Sequence, residues 1–197
     1  VNAFELDILK YRGEAEFMLE DYEAAAHTYG ILADVDGNEP EYLYYKAASE
    51  AMAGNPDTAV EDYAKAAEAA KDRKEAPAGA AVAVSSIADA YRTAGNYDGA
   101  VGFCSQAIES GISGPEIYNQ MGLCMMAAER FDEAVSYFEQ GIALGDGEQV
   151  QLMMYNMGAV YEKSGDFGKA LETFRNYVSK YGSTPELEKE IAFLESR

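Results

Sequence analysis

Five near-copies of one phrase run through the chain, EDYEAAAHTY, GNPDTAVEDY, GNYDGAVGFC, ERFDEAVSYF and GDFGKALETF. Each contains one alanine of a series, Ala25, Ala59, Ala100, Ala134 and Ala170, with separations of 34, 41, 34 and 36 residues. A period near 34 with small residues at fixed offsets belongs to stacked helix pairs, each of which buries its apolar face only against its neighbours. The expected fold is therefore all-α, a solenoid of about five helix-turn-helix units near residues 3–37, 40–76, 80–113, 115–147 and 150–182. A helix at 184–197 caps the last pair, and the whole of 1–197 reads as a single array.

A second small column, Gly13, Ala47, Ala88, Gly122 and Gly158, lies upstream of each alanine, so both helices of a pair can approach closely. Four residues after each alanine stand Tyr29, Tyr63, Cys104, Phe138 and Phe174, on the same helical face and hence in the core. Asp21, Asn55, Asn96 and Asp166 occupy the turn of four pairs, where a side-chain oxygen accepts from free amides of the second helix. Gly54, Gly95 and Gly165 precede three of them and suit the left-handed conformation that ends the first helix. The fourth pair breaks this pattern with Glu129 and Arg130. Pro56, Pro40, Pro115 and Pro185 each fit the first position of a helix.

The longer interval after Ala59 falls in KDRKEAPAG, residues 71–79, which holds the chain's one cluster of positive charge. A second helix lengthened to about Glu75 and stopped before Pro77 is expected there, because the residue before proline disfavours helix. In the closing helix Thr184 is the expected cap, with Leu187, Ile191 and Leu194 inward and Glu186, Glu188, Lys189 and Glu190 largely outward. No comparable cap precedes residue 3, so that end is expected to meet further repeats or another chain.

Charge limits the partners. Fifteen bases against 35 acids give a net charge of −20, which repels phosphate backbones and anionic headgroups. Nucleic acid is not an expected partner, and no apolar run of about 18 residues offers a membrane span. The chain opens at Val1 rather than Met, as an excised or processed piece would. An extracytoplasmic location, tethered through an upstream segment, is preferred over a cytoplasmic one. Cys104 and Cys124 replace apolar residues in helices and read as small buried hydrophobes, with a disulfide as the alternative.

The small-residue columns, the aromatic after the turn (Tyr22, Tyr97, Phe131, Phe167) and the inter-unit prolines resemble the tetratricopeptide repeat family over residues 3–181. The resemblance implies a right-handed superhelix whose first helices line a concave groove. It nominates Tyr44, Tyr45, Asp89, Arg92, Asn119, Gln120, Leu123, Met126, Tyr155, Asn156 and Lys163 as partner-binding, with Lys10, Glu14, Phe17, Ala48, Met52, Ser85 and Ala159 in the same columns. Asn119, Gln120, Tyr155 and Asn156 form the densest polar and aromatic group, suited to the backbone of an extended peptide. The carboxylate clamp of chaperone-binding members is absent, since its columns hold Lys10, Glu14, Tyr45, Val82 and Ser86, and later frames fit no better.

Two columns depart from the family. Glu16 and Glu50 stand where a large apolar residue is usual, each four residues after a base, Arg12 and Lys46. At a helix seam such pairs are partly desolvated. In water each contributes only ~0.3–0.5 kcal/mol.

No phosphate-binding loop, nucleophile elbow or zinc helix is present. His27 is a lone surface histidine, and DVDGNE at residues 34–39 is an acidic turn whose glycine comes too early for a calcium loop. The chain is thus expected to be a non-catalytic interaction module without cofactor or metal, binding a protein or peptide in its groove. The alternative is a structural scaffold or spacer, acting through self-assembly or its convex face.

Overall fold

The computed structural model describes residues 3–37 and 39–197, so Asn38 in the acidic turn and the first two residues lie outside the described residues. The repeating phrase has the expected consequence: eleven helices and no strand among the described residues. They gather in two compact units, Val1–Ser113 and Gly114–Arg197. The first holds α1 (Ala3–Met18), α2 (Tyr22–Val35), α3 (Pro40–Met52), α4 (Pro56–Ala70), α5 (Ala80–Thr93) and α6 (Tyr97–Glu109). The second holds α7 (Pro115–Ala127), α8 (Phe131–Ile142), α9 (Glu148–Lys163), α10 (Phe167–Tyr181) and α11 (Pro185–Glu195).

All five alanines of the series are fully buried, and Tyr29, Cys104, Phe138 and Phe174 four residues later are buried with them. The small column upstream shows why pairs pack closely. A Cβ on Gly122 would lie 2.3 Å from the Phe138 ring, and one on Gly158 would lie 2.5 Å from the Phe174 ring. Both cysteines are buried, as small hydrophobes would be.

Turn chemistry follows the sequence with one exception, Asn55. Asp21, Asn96 and Asp166 accept from the amides of Ala24, Gly99 and Lys169, and Thr184 caps α11 through the amide of Leu187. Asn55 occupies the N-cap position of α4 but its side chain makes no cap bond. Its amide instead donates to Glu50 Oε2 at 3.0 Å, which turns it away from the helix end. In the fourth pair Arg130 makes no cap bond either, and its guanidinium reaches Glu133 on the first turn of α8.

Glu20 and Glu129 carry φ values of 62° and 59°, the left-handed conformation that Gly54, Gly95 and Gly165 supply in the other three pairs. That conformation costs a residue with a Cβ about 1 kcal/mol. Glu129→Gly is accordingly expected to raise stability by about 1 kcal/mol, read as a higher denaturation midpoint at unchanged slope. A lower midpoint would show that the Glu129 side chain contributes more than its backbone strain removes.

The lengthened second helix does not form. α4 stops at Ala70, and residues 71–79 make turns that end on Gly79, itself left-handed at φ 81°. Helix beyond Ala70 would carry the chain past the point where it must reverse before Pro77. This connector alters the packing of the third pair. Within the units, α3 lies on the second helix of the pair before it, α2, and α9 likewise on α8. α5 instead packs chiefly on α3 and only lightly on α4. Small side chains permit this, with Ala51, Ala59 and Ile87 in one buried cluster.

At the far end α11 places Leu187 and Leu194, with Ile191, against Ala170 and Phe174 as expected. Glu190 departs from the expectation: it is half-buried and Oε1 has no hydrogen-bond partner. Burial, then the charge of Glu190, push the Glu162 carboxyl above its ordinary range.

Candidate functional site

The sequence-nominated groove residues divide between the two units. In the first unit, Tyr44 is 1% exposed and Ala48 is fully buried, so neither presents a surface to a ligand. The Tyr44 ring packs edge-on against Tyr63 of α4, with centroids 5.5 Å apart. Tyr45 is half-buried, its ring stacked on Tyr29 with centroids 5.2 Å apart. Gly79 closes over it, since a Cβ there would lie 3.1 Å from the ring. Asp89 and Arg92 pair with each other on α5, and Arg92 Nε is enclosed without a partner. Of the other residues in these columns, Glu14 and Met52 are exposed while Lys10, Phe17 and Ser85 are half-buried.

The ion pairs of this unit differ from the sequence reading in one respect. Arg12 and Glu16 do pair, at 2.6 Å, and Glu16 also accepts from the buried Thr28 hydroxyl at 2.6 Å. Burial pushes the Glu16 carboxyl up, but the hydrogen bonds from Thr28 and Arg12 outweigh it and leave it below its ordinary range. Lys46, however, does not pair with Glu50. It donates to Asp62 on α4 at 2.7 Å, and Lys65 donates to the same carboxylate at 2.9 Å. Asp62 is 1% exposed; burial pushes its carboxyl up, and the two lysines more than reverse this. Sequence reasoning missed Asp62, although the column three residues after each alanine (Thr28, Asp62, Phe103, Tyr137, Thr173) carries a charge there alone.

The second unit brings part of the densest group together. Asn119 on α7 is 4% exposed, so it supports the surface from beneath and does not face a ligand. Its amide donates to Gln149 Oε1 at 3.3 Å, and its Oδ1 accepts from Asn156 at 3.3 Å. Two α9 side chains are thereby tied to one buried amide. Tyr155, one position along, is 44% exposed and rests on α10, with ring centroids 5.5 Å from Phe174 and 5.9 Å from Tyr177. Tyr177 is itself held by Gln151, which donates to its hydroxyl at 2.8 Å. Leu152, a turn before Tyr155 on the same helix, is also 44% exposed. It was not among the nominated groove residues, though its spacing of three from Tyr155 is a visible signal.

Gln120, Leu123, Met126 and Ala159 are half-buried and Lys163 is exposed. Gln120 Oε1 is enclosed with no hydrogen-bond partner, an acceptor left for a donor to meet. The α7–α9 surface therefore offers an apolar platform (Leu152, Tyr155) beside amides whose orientation is fixed from below. Such a surface can take an extended backbone and one or two apolar side chains. It holds no general acid or base beside a nucleophile. Among the described residues no group of three or more His, Cys, Asp or Glu side chains converges as a metal site requires.

A family model described as tetratricopeptide repeat matches residues 12–76 and 125–185. Tetratricopeptide repeat protein 8 of Caenorhabditis elegans is 26% identical over 156 residues, 79% of this chain and 29% of that protein. The chain thus spans less than a third of the length of this curated relative. Among solved structures, a thermophilic repeat protein of the same kind from Thermus thermophilus superposes with a TM-score of 0.67 at 17% identity, covering 98% of this chain and 100% of that one. A Rap protein, solved in complex with competence and sporulation factor, superposes with a TM-score of 0.69 at 16% identity, covering 91% and 54%. These likenesses are of fold.

Proposed function

The chain belongs to the tetratricopeptide repeat family, and from that premise we propose that it is a non-catalytic module that binds an extended protein segment on the α7–α9 surface. Repeats of this family generally mediate protein–protein interaction, and they are typically non-catalytic. The observation that carries the finer reading is the amide network of Asn119, Gln149 and Asn156, which presents Asn156 beside the exposed Tyr155 and Leu152. Tyr155 and Leu152 supply apolar area, Asn156 pairs with the partner backbone, and the enclosed acceptor of Gln120 meets a donor. The solved Rap protein complex supports the reading only by fold analogy, since that protein was captured with competence and sporulation factor bound.

Selection from a displayed random-peptide library tests it. Peptides enriched on the intact chain are expected to lose about tenfold or more in affinity for a Tyr155→Ala, Asn156→Ala variant, equivalent to ~1.4 kcal/mol. Equal affinity for both forms would remove the α7–α9 surface from the account.

A second reading, assembly through α1, has its own observation. Phe4, Ile8, Tyr11 and Met18 are 50–83% exposed along one face of that helix. In the next pair, Tyr42 and Tyr45 at the positions of Ile8 and Tyr11 pack on α2. Concentration-dependent mass that Ile8→Asp abolishes would favour this reading over the peptide surface.

A further inference from the structure

Helices α2 and α4 both pack on α3, and the space between them holds a cavity of about 620 Å³ in the first unit. Small residues keep it open. Ala26, Gly30 and Ala33 follow one another along the α2 wall, and a Cβ on Gly30 would meet nothing nearer than the Lys46 stem at 3.5 Å. Ile31 and Leu43 add apolar wall, and Asp62 with its two lysines, Lys46 and Lys65, lines the side toward α4. The place of Gly30 opposite Lys46 also sets the register of the antiparallel helices α2 and α3. It brings Glu23 and Glu50 to one end of the cavity, with Asp34 at the other. Four carboxylates and two lysines line the whole, with His27, and Asp62 already engages both lysines. The other three carboxylates have no cation. Glu23 and Asp34 are exposed without an ion pair among the described residues, and Glu50 accepts from the neutral amide of Asn55 at 3.0 Å. Residues 20–65 carry eleven acids against Lys46 and Lys65, so the surrounding sequence adds acid and not base.

We propose that this cavity is a second binding site, distinct from the α7–α9 surface, that takes a basic protein segment: an arginine reaches the Glu23–Glu50 end, and an apolar side chain three residues away lies against Ile31 and Leu43. The cavity has the size of a ligand site and walls for an apolar side chain. Arginine suits the acidic end, since its planar fork pairs with carboxylates while its stem lies along apolar surface. The spacing follows from the helix. Glu23 to Gly30 rises about 10 Å along α2, a span that about three residues of extended chain cover. Charge complementarity selects the class of partner, because carboxylates without cations on a chain of net charge −20 attract and orient a basic segment. A second copy of this chain is a poor occupant, because two such acidic molecules repel each other.

The probe is a fluorescently labelled acetyl-Arg-Ala-Ala-Leu-Ala-Ala-Arg-amide, read by polarisation. Its arginines flank the leucine at equal spacing, so either chain direction presents one of them to the Glu23–Glu50 end. A serine-for-leucine peptide and free arginine amide are the comparison ligands. The intact chain is expected to bind the leucine peptide and to prefer it about tenfold over the serine peptide. Glu23→Lys is expected to weaken binding about tenfold. Glu172→Lys, an identical change in net charge at an exposed position of α10, is expected to leave it unaltered. Gly30→Leu fills the cavity and is expected to abolish binding, with thermal melting to confirm that it folds; Glu23→Lys tests the site independently of that outcome. Equal weakening by Glu23→Lys and Glu172→Lys, or equal affinity for the leucine and serine peptides, would show only a general attraction of basic peptides to an acidic chain and overturn the proposal. Full binding by a folded Gly30→Leu variant would overturn it too. Arginine amide that binds as tightly as the peptide would make this a small-molecule site and overturn the peptide assignment. Concentration-dependent self-association lost in Gly30→Leu would place a second copy there instead.

Discussion

Replacement of Asp62 by asparagine is expected to cost about 3 kcal/mol of stability at neutral pH, a large share of the ~5–15 kcal/mol typical of a folded domain. The variant keeps the volume but leaves Lys46 without its counter-ion, and the Lys46 side chain is only 25% exposed. Removal of one partner from an enclosed pair is costly because the remaining charge stays desolvated. The sign of the pH dependence follows from the direction of the shift. The Asp62 carboxyl sits below its ordinary value of 3.8 when folded, so its contribution is present above that value and is lost as pH falls through the lower, folded one. Chemical denaturation of the two forms should therefore diverge at neutral pH and converge in acid. A companion variant, Lys46→Met with Asp62→Leu, is expected to recover most of the loss, since an apolar pair of similar size needs no desolvation of charge. A loss below about 0.5 kcal/mol for Asp62→Asn would mean that water reaches the triad.

Gly122→Ala should destabilise by about 2 kcal/mol, although alanine is intrinsically the better helix former by roughly 1 kcal/mol. The new Cβ would fall 2.3 Å from a Phe138 ring that is fully buried and has no room to swing away. Overpacking of a closed core typically costs about 1–3 kcal/mol or more, which outweighs the propensity gain. Gly13→Ala provides the contrast at the same column. There the nearest atom is on the Tyr29 ring at 3.0 Å, and the column already holds alanine at Ala47 and Ala88. Gly13→Ala is expected to fall within about 1 kcal/mol of the parent, and thermal melts of both variants check the pair. Equal effects would mean that helix propensity, not close approach, governs this column.

The helix pairs were legible because local rules and the repeat agree: buried alanines, an aromatic four residues on, and prolines and polar caps at helix starts. Local disagreements were not legible. Asn55 has the cap residue's chemistry, yet its amide is drawn to Glu50, a choice that depends on side-chain positions across a turn. The end of α4 was hidden because Ala66 to Lys74 favours helix locally, whereas the chain's need to reverse is a tertiary constraint. In the candidate site Tyr44 is core, packed on Tyr63 of α4, although its column position in a regular repeat faces the groove. Asn119 misled for a different reason: an amide reads from sequence as a ligand contact, but here it satisfies two other amides from below. Asp62 was visible only as a lone charge in an otherwise uncharged column.

The most direct measurement is photo-crosslinking from position 152, with a benzophenone side chain in place of Leu152, in an extract of the source cells. The exposed position lies within the proposed contact and makes no hydrogen bond that the probe would break. A discrete crosslinked partner is expected, whose yield falls when Tyr155→Ala and Asn156→Ala are added, and whose attached peptide is an extended segment. A position-152 probe that captures nothing, while the same probe at position 8 on α1 captures a defined partner, would contradict it.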